Sequence, residues 1–166
     1  RRERRASRPR VHVIAYSNAA FTDEVLAGIR DGFVEQRMAP GDGIELSVVN
    51  AQGDMSTLNQ LVVDGVASAP AVIMSISTPS LQALMKRNDR IPCVFTTVFD
   101  PYVTGVGRGP KDHLPLFTGV TSHSDFPRLI EVVRATWPAA KRIGTVYCPS
   151  EDNSVAARDE LTRLAA

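Results

Sequence analysis

Apolar and polar positions alternate between two periods along the chain. Short apolar runs, Arg10–Tyr16 (RVHVIAY), Ile44–Asn50 (IELSVVN), Ala71–Ile76, Pro92–Phe95 and Leu116–Val120, have the length and β-branched content of buried strands. Between them lie stretches of helical spacing. Phe21–Met38 carries Phe21, Val25, Leu26, Ile29 and Phe33, and a stretch from about Ser56 to Ala69 carries Leu58, Leu61, Val62 and Val66. A third helix follows Ser77-Thr78-Pro79, with Thr78 predicted as its N-cap and Pro79 in its first turn. Beyond Leu116–Val120 the pattern predicts a helix over about 127–136, stopped by Trp137-Pro138, a sixth strand at Arg142–Tyr147 and a last helix over 154–164. Thr22 or Ser17 could cap the first helix and Asp54 the second. The Gly- and Pro-rich stretch from Val103 to Pro115 reads as a loop. Strict alternation of strand and helix predicts an α/β fold with a doubly wound parallel sheet.

Such a sheet places the loops after its strands along one edge, where open α/β sheets bind ligands. Ala71–Pro101 puts two hydroxyl-bearing loops there, Ser77-Thr78 and Thr96-Thr97. The first opens a helix, whose N-terminal N–H groups favour a carboxylate or phosphate. Ser77-Thr78 reads equally as a simple cap, Asp100-Pro101 as a simple turn, and the polar loop Asn50–Asp54 as a structural helix entry.

Charge changes the picture at one end only. The 166 residues have a net charge of +1, but residues 1–10 hold six Arg and one Glu. The remainder has 13 basic and 17 acidic side chains, so the folded body is mildly acidic and offers no basic face for nucleic acid. Residues 1–10 are expected to be a solvated linker or tail. No apolar run approaches the ~20 residues of a membrane span, and no signal-peptide pattern is present.

Catalytic and cofactor chemistry find no support. Cys93 and Cys148 have no second ligand-type residue at metal spacing, so no metal site is expected. Neither a GxGxxG nor a GxxxxGK[ST] pattern occurs, and no cofactor is expected. Ser122-His123-Ser124-Asp125 has the residue types of a triad, but contiguous residues cannot form its geometry.

An ordered set of motifs carries a family resemblance. Asn50-Ala51-Gln52-Gly53-Asp54 with Thr57-Leu58-Asn59-Gln60 resembles the signature of ABC-system solute-binding proteins of the type I periplasmic-binding-protein fold, a group that includes tryptophan and phenylalanine binders. Ser77-Thr78-Pro79, Ile91-Pro92, Thr118-Gly119-Val120, Ala140–Gly144 and Pro149-Ser150-Glu151 continue it in order from about residue 11 to the end. The resemblance implies two lobes with a ligand between them: residues 11–120 as the first lobe, 121–166 as a hinge and the incomplete start of the second. By position it implies a ligand wall of Ser17, Asn18, Ser77, Thr78, Thr96 and Thr97, with Asp100 near the hinge as a carboxylate for an ammonium group. Ser150, Glu151, Asn153 and Ser154 would face them from the second lobe. Two positions depart from the pattern, Asn18-Ala19 where a His-Pro-type pair is usual and Cys148 within a usual Tyr-Asn-Pro. The implied function is capture of a small amino-acid-like ligand for a membrane permease, outside the cytoplasm; a ligand-sensing domain of a larger regulatory protein is the alternative, since one fold serves both.

Overall fold

The computed structural model describes residues 8–165. Most of the arginine-rich tail predicted over 1–10 lies outside that range. Arg10 lies inside it and belongs to the fold: it opens the first strand, and its guanidinium donates to the carbonyls of Ser68 and Ala69.

Among the described residues twelve elements follow one another: β1 (Arg10–Ala15), α1 (Ala20–Glu35), β2 (Glu45–Asn50), α2 (Met55–Ala67), β3 (Val72–Ile76), α3 (Thr78–Met85), β4 (Cys93–Val98), β5 (Gly107–Gly109), β6 (Asp112–His113), β7 (Phe117–Thr121), α4 (Phe126–Thr136) and α5 (Asp152–Ala165). Five strands form one all-parallel sheet in the order β2-β1-β3-β4-β7. The chain steps from β1 outward to β2, then back across β1 to β3. That reversal is the point in a doubly wound sheet where a crevice opens beyond the carboxyl ends of the strands.

Burial on both faces explains why the central strands β1, β3 and β4 read as near-continuous apolar runs, while β2 and β7 at the edges are more exposed. Successive side chains of β1 point to opposite sides. Val13 and Ala15 join Ile76 against Val25, Leu26 and Ile29 of α1. Ile14 packs on the other side with Leu58 and Val62 of α2, Leu81 and Leu84 of α3, and Ile73. Asp54 caps α2 as predicted, accepting from the Thr57 N–H at 2.7 Å. That bond is the main reason its carboxyl is held below the usual carboxylate range. At the β4–β7 pairing, Gly119 sits opposite Phe95, and a Cβ there would lie 2.1 Å from the Phe95 carbonyl oxygen. Only glycine lets the two strands approach this closely.

Several predicted details need correction. Arg142–Tyr147 forms no strand among the described residues; Ile143 is half exposed and Val146 fully so. A strand needs a neighbour to take its backbone hydrogen bonds, and no strand of the described residues lies beside this stretch. The Val103–Pro115 loop contains a small antiparallel pair, β5 with β6. Neither Thr22 nor Ser17 caps α1: the N-cap is Ala19, without a side-chain bond, and the Thr22 hydroxyl donates to the Ser17 carbonyl instead. Thr78 is not the cap of α3 but its first helical residue; Ser77 holds the N-cap position, and its side chain makes no capping bond.

Candidate functional site

The carboxyl ends of β1, β3 and β4 open onto a cleft of about 360 Å³, within the ~300–1,000 Å³ usual for small-molecule sites. The register of β1 on β3 pairs Ala15 with Ile76, so the residues that follow them meet at its floor. Ser17 contributes from the first loop, Ser77 and Thr78 from the start of α3, and Thr97 from the end of β4. Glu151 and Asn153, flanking the first residue of α5, face them across the opening. Six of the predicted ligand-wall residues are thereby brought together.

The remaining five stand outside the lining, each with a structural occupation. Asn18 Oδ1 accepts from the Asn50 amide at 3.3 Å. The Thr96 carbonyl accepts from the Ser77 N–H at 3.1 Å. Asp100 Oδ1 accepts the N–H groups of Tyr102 and Val103, closing the turn after β4. Ser150 Oγ lies 3.1 Å from Cys148 Sγ, and Ser154 Oγ accepts from the Cys148 N–H at 2.8 Å. The carboxylate that does reach the cleft is Glu151.

Two backbone outliers stand side by side in the lining. Thr97 has φ 59°, and Ser77 has φ 93° with ψ 158°, a region normally left to glycine. Each such conformation costs on the order of 1–3 kcal/mol and persists where the surroundings enforce it. Thr97 lies in the register irregularity between Phe95 and Val98, where β4 and β7 lose step. The twist places the Thr97 side chain at the cleft, with Oγ1 buried and no hydrogen-bond partner among the described residues. From the opposite wall Asn153 Oδ1 is buried and unpartnered in the same way. A buried polar atom left unpaired costs roughly 1–3 kcal/mol, and both of these belong to residues that line one cleft, which suits a donor-bearing ligand.

Aromatic rings supply the apolar part of the wall, and the sequence did not single them out. Tyr16, Phe21 and Phe99 line the cleft. Phe21 is nearly half exposed although its spacing assigned it to the buried face of α1. The usable signal was their position at loop edges, with Tyr16 directly after β1 and Phe99 directly after β4. Phe99 stacks on His123 with ring centroids 4.4 Å apart, and His123 Nε2 lies 3.1 Å from Glu160 Oε2 of α5. Ser122, also in the lining, donates its N–H to the Val98 carbonyl at 2.8 Å. The crossing from β7 to α4 is thus tied to the cleft rim on one side and to α5 on the other.

A second cavity, about 430 Å³, lies at the opposite strand ends. Most of its polar side chains are already engaged. Arg10 serves the α2 carbonyls, His12 Nδ1 meets Ser47 Oγ at 3.2 Å, and Asp64 accepts from Gln60 at 2.9 Å. Burial, helped by Arg10, pushes His12 below its ordinary pKa. No buried, unpartnered side-chain atom belongs to a residue lining this cavity among the described residues, and it lacks the demand for a ligand that the cleft carries.

Known proteins resemble this chain over most of its length. Residues 10–166 match the family described as ABC transporter substrate binding protein. The chain is 30% identical over 139 residues to a tyrosine-binding protein of Clostridioides difficile (strain R20291), covering 84% of this chain and 40% of that relative. It superposes with a TM-score of 0.91, at 26% identity, on an ABC domain in complex with L-Trp from Streptococcus pneumonia, covering 96% of this chain and 54% of that one. On a ligand-free, open substrate binding protein with adhesive properties from Clostridium difficile the TM-score is 0.78 at 25% identity, with 95% and 53% covered. The chain spans about half the length of these proteins or less. Its own matched residues nonetheless run almost from end to end, and the chain belongs to the ABC transporter substrate binding protein family.

Proposed function

We propose that this chain forms one lobe and part of the facing wall of an amino-acid-binding cleft, selective for an aromatic side chain and serving an ABC uptake system outside the cytoplasm. The observation that carries the reading is the pair of buried, unpartnered acceptors, Thr97 Oγ1 and Asn153 Oδ1, one from each wall. An α-ammonium group offers three donors, and the Glu151 carboxylate supplies a compensating charge at the same opening. The α-carboxylate belongs at the first turn of α3, where Ser77 and Thr78 line the cleft beside the positive end of the helix. Tyr16, Phe21 and Phe99 give the side chain an aromatic surround, which favours ring-on-ring contact. The tyrosine-binding relative and the L-Trp complex support the same class.

Function then follows from closure of two lobes around the ligand, followed by delivery to a permease. Among the described residues no helix is long and apolar enough to cross a membrane; the permease belongs to this reading through the family. The family is one of binding proteins, and no reaction is assigned to the cleft. The test is a thermal-shift screen of the twenty amino acids on the full reading frame that contains this chain. L-Tyr, L-Trp or L-Phe is expected to give the largest upward shift; a largest shift from an acidic, basic or aliphatic amino acid, or no shift from any of the twenty, would overturn the reading.

A further inference from the structure

One hydrogen bond crosses directly between the two walls without involving any residue of the cleft lining. Gln82 Nε2 of α3 donates to Asp152 Oδ2, the first residue of α5, at 2.7 Å. Gln82 lies four residues after Thr78, about one helical turn, and Asp152 lies between Glu151 and Asn153. The bond therefore joins the helix that forms one wall to the helix that forms the other, while Gln82 and Asp152 themselves stay outside the lining. The acceptor is a carboxylate, which makes this a charge-assisted bond.

We propose that Gln82 and Asp152 form a latch that holds the walls together and sets how long a ligand stays bound. The proposal rests on the amino-acid-binding reading for its ligand but not for its geometry. A bond present only when the walls are close contributes to the closed state alone, and whatever favours that state raises affinity by the same factor. The effect falls on release, since the open cleft that admits the ligand has not yet formed the bond.

The chemistry dictates an ordered series. Lysine at 82 keeps the donor and adds a charge opposite Asp152. Alanine removes the donor, and glutamate sets two carboxylates against each other. In the full reading frame, L-Tyr and L-Trp dissociation followed by stopped-flow fluorescence should be about three- to tenfold faster in Gln82→Ala. It should be faster still in Gln82→Glu and no faster than the parent in Gln82→Lys. In an Asp152→Ala background the three should agree within about twofold, as required of a pairwise interaction. The same order persisting without Asp152, or no effect of Gln82→Ala, overturns the latch. If the parent binds neither amino acid, the amino-acid reading fails and the latch is read by X-ray scattering instead. Gln82→Glu should then give a larger radius of gyration than Gln82→Lys, with the difference erased by Asp152→Ala; equal radii refute it.

Discussion

Thr97→Val separates function from stability, because the two should move in opposite directions. Valine keeps the volume and branching of threonine, so the strain at φ 59° is carried equally by both residues. What changes is Oγ1, buried at the cleft with no partner among the described residues. Removing an unpaired buried hydroxyl relieves roughly 1–3 kcal/mol of desolvation cost. Taking about 1 kcal/mol, the ligand-free protein should melt about 2–4 °C higher, as expected for a domain of this size. With ligand the sign reverses. A hydrogen bond to a charged group contributes about 1.5–3 kcal/mol, so losing it should raise Kd by roughly 10- to 100-fold. Thermal denaturation without ligand and titration calorimetry with L-Tyr or L-Trp on the full reading frame measure the two arms. A variant that melts lower and binds as tightly as the parent would show that the hydroxyl has an internal partner and no ligand, and the reasoning built on it would fail.

Two further outcomes are expected. His12 is pushed below its ordinary value of 6.5 by burial and by Arg10, so the unfolded chain takes up the proton first. Its contribution to stability should fall as pH drops through about 6.5 and level off below the depressed folded value; melting curves from about pH 7.5 to about pH 5 should show a shallower loss in His12→Gln, and an unchanged slope would contradict this. Cys93 is 1% exposed, and burial pushes its thiol up to about 12, so an aromatic disulfide reagent at neutral pH should label Cys148 first and Cys93 only on unfolding.

Much of the fold was legible because both faces of the central strands are covered. Val13, Ile14 and Ala15 are all fully buried, and such runs announce strands in any sequence. The cap at Asp54 was legible because its bond is local. Arg142–Tyr147 misled for the converse reason: its apolar alternation is that of a strand, but strand formation depends on a neighbour, which is a property of the sheet and not of the segment. Thr78 was misplaced by one residue, since Ser77 takes a backbone conformation that serine rarely adopts.

The site divides in the same way. Ser17, Ser77 and Thr97 were legible as polar residues at strand ends. The positive φ that brings Thr97 to the cleft, and the engagement of Asp100 by its own turn, arise from the register irregularity of β4 and from loop closure. The first leaves no mark in the residue types, whereas the second was legible as the turn reading of Asp100-Pro101. Phe99 was hidden because an aromatic beside a strand reads as core until its neighbours in space are known.

The most direct test is a crystal structure of the full reading frame grown with L-Tyr or L-Trp. One amino acid is expected between the walls, its ammonium nitrogen within hydrogen-bond distance of both Thr97 Oγ1 and Asn153 Oδ1 and its carboxylate at the first turn of α3. A ligand seated elsewhere, such as the cavity beside Arg10 and His12, or one that leaves both acceptors unpaired, would contradict it.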